Sequence, residues 1–305
     1  AVLRGQIDRG RRQGRRTGQF LILGSASPDL LRQSAESLAG RIAYFDLGPL
    51  SPAEVGPSQK VRDRLWLRGG FPESFTAPDD EVSREWRDAF IKTYLERDIP
   101  QLGARVPAET LRRFWSMLAH SQGALFNAAR LATSLAVSGQ SVARYLDLMV
   151  DLLLVRRLQP WSSNAGKRLA KSPKVYVRDS GLAHALLGIT TLEDLVGHPV
   201  AGLSWEGLMI EALIAAAPRG TTAHFYRTAA GAEIDLLLTL PGNRQWAIEI
   251  KRSLAPKVEK GFHLACADLE PHRACVVYPG KERFPLSTDI EAMGLDEAIA
   301  GLRMK

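Results

Sequence analysis

Cysteine is nearly absent from this sequence: Cys266 and Cys275 are the only two in 305 residues. His263 and His272 lie near them, but neither grouping has the ligand spacing of a zinc site. Both cysteines are expected to be free, buried thiols of a protein kept in a reducing compartment. Long apolar runs are missing as well. No stretch approaches the length of a membrane span, and no apolar signal core follows the arginine-rich start. A cytoplasmic protein with no membrane contact is the expectation. The phosphate-cradling pattern G-x-x-x-x-G-K-[ST] occurs nowhere, so the chain by itself is expected neither to bind nor to hydrolyse ATP. Acidic residues are in deficit, 33 against 40 Lys and Arg, which leaves a net charge of +7 and an isoelectric point near 9.6. That excess suits a nucleic-acid partner. The hydrophobic fraction of 45% supports real cores, and the length allows two or three domains.

The most informative stretch is 232–253, which reads AEIDLLLTL, then PGN, then RQWAIEIKRS. Two apolar runs around a Pro-Gly-Asn turn signal a β-hairpin. With Pro241-Gly242-Asn243 as the loop, Leu240 pairs with Arg244. Asp235 then falls opposite Glu249, and Glu233 opposite Lys251. Glu249 and Lys251, two residues apart, share one face of their strand. Like charges directly across a ladder repel. Two carboxylates side by side in an apolar hairpin therefore need a shared proton or a divalent cation, and Mg²⁺ takes such oxygen ligands. An ordinary edge hairpin with solvated charges and a plain Glu233–Lys251 salt bridge is the alternative.

Asp235 followed by Glu249-x-Lys251 on the next strand resembles the core of PD-(D/E)XK nuclease-type domains. In that family an acidic residue on the preceding helix completes the cluster, and Glu206, in SWEGLMIEALI, matches it. The resemblance implies Mg²⁺-dependent phosphodiester hydrolysis. Asp235 and Glu249 would hold the metal, Glu206 would assist, and Lys251 would orient the attacking water. A non-catalytic version of the same fold is the alternative.

The opening carries a second resemblance. FLILG reads as a short buried strand ending at Ser25. Asp29–Ala39 reads as a helix with Pro28 at its start, closed by Gly40-Arg41, and Ile42–Leu47 as a second buried strand. FLILGSAS, SLAGRI and PLSPAEV resemble the closing part of a AAA-type ATPase core. That likeness implies Ser25 in a sensor position near the γ-phosphate and Arg41 as an arginine finger. A helix-ending arginine that complements the dipole is the plainer role for Arg41. The acidic Walker B strand of that family is missing, so the chain reads as a piece that follows the nucleotide-binding motifs, with ATP relevant only to a longer protein that carries them.

Between these ends, Asp79–Ile99 reads as a helix with Trp86, Phe90, Tyr94 and Leu95 on a core face. GGFP and the ERDI that ends this helix also resemble the segment joining such ATPases to their C-terminal domain. Ala108–His120, Asn127–Leu135 and Gly139–Leu154 read as three further helices, the last two capped by Asn127 and Ser138. ARLATSLAVSGQSVARYLDLMVDLLLV has the look of a helix-turn-helix, with VRRLQPW and KVYVRDSGL as the strands of a wing. In a winged helix, Gln140, Ser141 and Arg144 lie at the exposed start of the recognition helix. Arg156, Arg157, Lys167, Arg168, Lys171 and Lys174 decorate the wing. Phosphate contacts from them would be salt-dependent and weakly specific. Ile189–Ala201 reads as a linker.

The expected whole is an α/β multidomain chain: the remnant of a AAA-type α/β core (1–57), a helical connector (58–105), a winged helix-turn-helix (106–190) and a C-terminal mixed-sheet PD-(D/E)XK-like domain (191–305). Its expected partner is DNA or RNA, with self-assembly into a homo-oligomer. A non-catalytic DNA-binding, regulatory or protein-interaction module is the rival expectation.

Overall fold

The structure is a computed structural model and describes residues 2–23, 38, 40–43, 45, 47–101, 106–162 and 169–303. Its strands are β1 (Val155–Pro160), β2 (Lys174–Val177), β3 (Thr222–Arg227), β4 (Glu233–Leu240), β5 (Arg244–Ile250), β6 (Arg273–Tyr278), β7 (Phe284–Pro285) and β8 (Ile290–Gly294). They form one mixed eight-stranded sheet in the order β2-β1-β3-β4-β5-β6-β8-β7, so the fold is mixed α/β. β1 and β2 pair antiparallel, and β1 joins β3 in parallel through Gln159 opposite His224 and Pro160 opposite Phe225. The two strands expected as a separate wing are thereby the edge of the same sheet that carries the hairpin.

The hairpin keeps the expected register, from Leu240 opposite Arg244 to Leu236 opposite Ile248. Its turn works because Gly242 and Asn243 take left-handed backbone angles, φ 83° and 58°, which those two residue types tolerate. Helix Ala201–Ala216 covers one sheet face, burying Trp205, Met209, Ile210 and Leu213 against Leu236, Leu238, Ile248 and Val277. Helix Lys260–Leu269 covers the other, with Phe262 and Ala265 against Ile234, Leu237 and Ala247. Ile234 and Leu236 lie in different cores although strict alternation would put them together. The cause is a bulge: His224 faces Leu237 and Tyr226 faces Ile234, so Asp235 and Leu236 both oppose Phe225. Bulges re-aim side chains in this way.

A third core joins the helices Ala108–His120, Ala128–Leu135 and Gly139–Asp151 to β1 and β2. Asn127 and Ser138 cap the last two as expected, accepting from Arg130 N and Ser141 N at 3.0 and 3.1 Å. The expected linker 189–201 instead contains helix Leu192–Gly197, started by a reciprocal cap between Thr191 and Asp194; that T-x-x-D spacing is readable in the sequence.

One expectation fails and another holds in part. Phe20–Leu23 and the described residues of 42–47 form no strand, and Leu21, Leu23, Phe45 and Leu47 are exposed. Among the described residues no neighbouring strand pairs with them, and a buried strand needs both partners and cover. The helix expected at 29–39 lies outside the described residues, apart from Leu38. On helix Asp80–Thr93 the buried residues are Ser83, Arg87 and Ile91; of the expected core face, Leu95 is in the core with Phe90 and Tyr94 packed against it, while Trp86, Phe90 and Tyr94 stack in sequence at 5.3 Å along a half-exposed side. A charged residue can hold the core position because the Arg87 Nη1 donates to the carbonyls of Leu67 and Gly181 at 3.3 and 2.9 Å.

That arginine belongs to a lock between Gly69-Gly70 and the segment following β2. The Asp179 carboxylate accepts from Gly70 N and Leu182 N, both at 2.8 Å. A methyl on Gly181 would come within 2.0 Å of the Arg68 carbonyl oxygen, whereas one on Gly202 meets nothing within 4 Å. Gly181→Ala is expected to destabilise by about 1–3 kcal/mol or more, and Gly202→Ala, on an exposed helix position, to stabilise by about 0.5–1 kcal/mol. Urea unfolding of the two variants checks the pair; equal stabilities would show that the backbone does not approach as described.

Candidate functional site

Four sequence-expected residues, Glu206, Asp235, Glu249 and Lys251, lie around the end of the β4–β5 ladder. A fifth, Lys174, was expected on an exposed wing and is instead 4% exposed at the start of β2. It follows Pro173, pairs with Leu158 of β1 and shares the strand face of Tyr176, which lies in the core under helix Ala201–Ala216. Its Nζ lies 3.0 Å from Glu233, 3.6 Å from Glu206 and 3.6 Å from Asp235. Its ammonium is 5.6 Å from the ring of Phe225, the residue opposite the bulge. A lone lysine heading a four-residue apolar strand was the available signal.

Each carboxylate is held by a different element. Glu206 rides on helix Ala201–Ala216 and accepts from the Tyr176 hydroxyl at 2.5 Å. Asp235 sits at the bulge, where its Oδ2 accepts from Ile250 N at 3.0 Å. That bond takes the place of a ladder bond where β4 and β5 part. On β5, Ile248 and Ile250 face the Ala201–Ala216 core and Ala247 the opposite core, so Glu249 shares the Ala247 face. Lys251 pairs there with Glu249 at 2.8 Å and with Glu259 at 2.6 Å. The Glu233–Lys251 bridge of the plain-hairpin reading is not formed. The bulge turns Glu233 toward Lys174 and toward Arg227, 3.6 Å away.

The site thus has two halves that meet at Asp235: Glu206, Glu233 and Lys174 on one side, Glu249, Lys251 and Glu259 on the other. Burial, then the charge of Asp235, raises the Glu206 carboxyl to about 7. The same two causes raise Glu249 to about 7, and burial raises Asp235 against the pull of Lys174. Burial pulls the Lys174 ammonium down, yet Glu206, Asp235 and Glu233 together outweigh it and hold it above the ordinary lysine range. For Lys251, hydrogen bonds to Glu249 and Glu259 likewise outweigh burial. Five carboxyls, Glu206, Glu233, Asp235, Glu249 and Glu259, face three cations, Lys174, Arg227 and Lys251. Strongly perturbed acids in one cluster are a mark of functional sites. Among the described residues, no group of three or more His, Cys, Asp or Glu side chains is close enough to hold a metal ion.

The other expected residues are scattered. Gln140, Arg144 and Lys171 are exposed, and Arg144 donates to Ser141 Oγ at 3.3 Å. Arg156 and Arg157 are committed to acidic partners: Arg156 to Glu211, which also accepts from Arg178 at 2.8 Å, and Arg157 to Asp147. Neither guanidinium stands ready for phosphate as expected. Arg41 pairs with Asp8 of helix Val2–Arg12 at 2.8 Å. Ser25, Lys167 and Arg168 lie outside the described residues. Cys266 and Cys275 are both free thiols. Among the described residues no helix is long and apolar enough to cross a membrane.

Comparison with known proteins matches two stretches of the chain without giving a function. Residues 59–193 match the family described as Domain of unknown function (DUF8612), and residues 201–297 match Domain of unknown function (DUF4143). Two curated proteins that the chain resembles, Mb2031c of Mycobacterium bovis and Rv2008c of Mycobacterium tuberculosis, are themselves uncharacterized. Each is 49% identical over 281 residues, 92% of this chain. The chain spans 63% of their length. No solved structure matches.

The raised acids fix a sign for the pH dependence. A carboxyl near 7 in the folded chain and about 4.3 unfolded binds more protons when folded. Its contribution to stability is complete below about pH 4 and lost as pH rises through 7. In the presence of EDTA, Glu249→Gln is expected to gain on the order of 2 kcal/mol relative to the unaltered protein between pH 5 and pH 8. Urea unfolding at the two pH values checks this. A difference independent of pH would show an ordinary, already ionised carboxyl.

Proposed function

We propose that this chain is the nucleic-acid-processing part of a AAA-type ATPase, and that the Asp235 cluster supports divalent-metal-dependent hydrolysis of phosphodiester bonds. The observation that carries the reading is the meeting of Glu206, Asp235, Glu249 and Lys251 at one end of one hairpin, with two carboxyls still short of positive charge. The succession of helix Ala201–Ala216, strands β3 to β5, helix Lys260–Leu269 and β6 is the element order of a PD-(D/E)XK core and supports it. So does the match to DUF4143, a domain found in AAA-ATPase-associated proteins. Helices Ala128–Leu135 and Gly139–Asp151 followed by β1 and β2 support the winged-helix reading of the middle. The chain's net charge of +7 and its exposed Gln140, Arg144 and Lys171 favour a polyanionic partner.

Carboxylate oxygens are the donor type a hard divalent cation takes, and burial, then the charge of Asp235, raises two of them to about 7; among the described residues no three of them lie close enough to hold an ion as they stand. Asp235 and Glu249 would hold it. When bound, such an ion lowers the pKa of coordinated water and neutralises phosphate charge. Lys251, fixed between Glu249 and Glu259, sets an ammonium beside the phosphate or the attacking water. Glu206, near 7, exchanges a proton at neutral pH as an acid–base group does. No ATP-binding step is assigned to these residues.

One observation favours a second reading. Lys174 and Lys251 already give the carboxyls ammonium partners, as a non-catalytic binding or regulatory module would. Incubation with plasmid and single strands in Mg²⁺ or Mn²⁺, beside a Glu249→Ala/Lys251→Ala variant, separates the two. Cleavage by the unaltered protein that falls at least about 10²-fold in the variant is expected. Binding without cleavage in both proteins would leave the module.

Nucleic-acid binding itself is expected to weaken with salt. Arg144→Ala and Lys171→Ala should each lower the slope of log affinity against log salt by about 1. Gel retardation across a salt series measures it, and an affinity indifferent to salt would remove the nucleic acid from the reading.

A further inference from the structure

The positive surplus is concentrated in one short stretch. Between residues 4 and 16 lie six arginines, Arg4, Arg9, Arg11, Arg12, Arg15 and Arg16, against one acid, Asp8, so five of the seven surplus charges sit there. Asp8 is taken by Arg41 at 2.8 Å, and among the described residues none of the six arginines forms an ion pair. Three of them are gathered by the backbone. Helix Val2–Arg12 ends in a tight turn, with Gln13 N and Arg15 N both donating to Gly10 O at 3.0 Å. Gly14 and Gly18 supply left-handed angles, φ 85° and 64°. Gln19 staples the returning chain to the helix: its Nε2 donates to Arg15 O at 2.8 Å and to Ile7 O at 3.4 Å. A methyl on Gly10 would come within 1.8 Å of the Gln19 Oε1, so the staple needs glycine there. The turn bounds a hollow of about 510 Å³ lined by Arg9, Arg15, Arg16, Thr17, Gln19 and Phe20, among others. The Phe20 ring is 48% exposed.

We propose that this hollow seats single-stranded nucleic acid, with Arg9, Arg15 and Arg16 on backbone phosphates and a base stacked on Phe20. Guanidinium forks match phosphate oxygens, and an aromatic ring beside a basic groove is how strands are held without sequence preference. A single strand fits where a duplex does not, because only an unpaired base offers its flat face to Phe20. The inference rests on the nucleic-acid part of the proposed function and says where the strand lies.

The test is fluorescence anisotropy on the full chain, across a salt series, with a labelled oligothymidine of about 8 nucleotides, within the span of single-strand sites. Replacing Arg9, Arg15 and Arg16 together by Gln is expected to lower the slope of log affinity against log salt by about 2, at about 0.7 for each phosphate of a single strand. The same change at Arg64, Arg244 and Arg303, exposed and outside the hollow, is expected to leave the slope unaltered. Gln19→Ala and Gly10→Ala keep every charge and release the staple, and each should weaken binding about 5–10-fold. Gly10→Ala favours the helix, so its effect does not come from unfolding. Phe20→Ala should weaken oligothymidine by about 10-fold and leave inorganic tripolyphosphate unaffected.

An equal fall in both arginine triples would overturn the hollow in favour of total charge. Unchanged affinity in Gln19→Ala and Gly10→Ala would reduce the arginines to a solvated run and overturn it as well. Tripolyphosphate binding as tightly as oligothymidine would remove the strand as occupant. Binding that needs Arg144 and Lys171 but none of the hollow's arginines would overturn this inference and leave the nucleic-acid reading standing. No binding of oligothymidine to the unaltered protein would overturn both.

Discussion

The ammonium of Lys174 is where three distant segments of the chain are brought to agree. Burying a lysine is unfavourable unless its charge is met, and burying Glu206 and Asp235 is unfavourable for the same reason. Each group is tolerable only with the others present. Removing one partner of such a set costs more than the set contributes, because it strands charge in a low-dielectric interior. The cluster therefore acts less as glue than as a condition: β2, helix Ala201–Ala216 and β4 reach the folded state in one arrangement or leave charges unpaired.

The edge strands make that condition possible. Had β1 and β2 formed a free-standing wing, Lys174 would have lain in solvent and the acids of the hairpin would have had no neighbour on that face. The parallel pairing of Gln159 and Pro160 with His224 and Phe225 adds the wing to the sheet and carries Lys174 under it. The glycines near residue 70 and Gly181 allow the backbone contact that anchors the far end of β2, with Asp179 and Arg87 satisfying the amides and carbonyls left there. Packing at one end of a short strand thus sets the position of a charge at the other.

Much of this was readable from residues alone, and the reasons for the rest are specific. The hairpin register followed from a turn that only Gly and Asn accommodate, and the caps at Asn127 and Ser138 from local hydrogen bonding. The pairing of Glu233 was not readable, because a register shift of one residue against β3 reverses which face a side chain takes, and nothing in EIDLL marks a bulge. Lys174 was missed because a lysine in a basic loop-and-strand segment reads as solvated; its burial depends on β3, which lies 48 residues further along by their first residues. Arg156 and Arg157 were misjudged for the same reason, since Glu211 and Asp147 come from other elements. Phe20–Leu23 read as buried on hydrophobicity, which registers a need for cover and not its presence.

The bulge at Asp235 also accounts for the asymmetry of the site. In an unbroken ladder Asp235, Glu249 and Ala247 would share one face, and Glu206 on the other would be insulated from them by the sheet. By setting Asp235 and Leu236 together against Phe225, β4 moves one carboxylate to the boundary between faces. There it is felt by acids on both sides: it raises Glu206 from one direction and Glu249 from the other. A single carboxylate at that boundary couples the half held by Lys174 to the half held by Lys251 and Glu259.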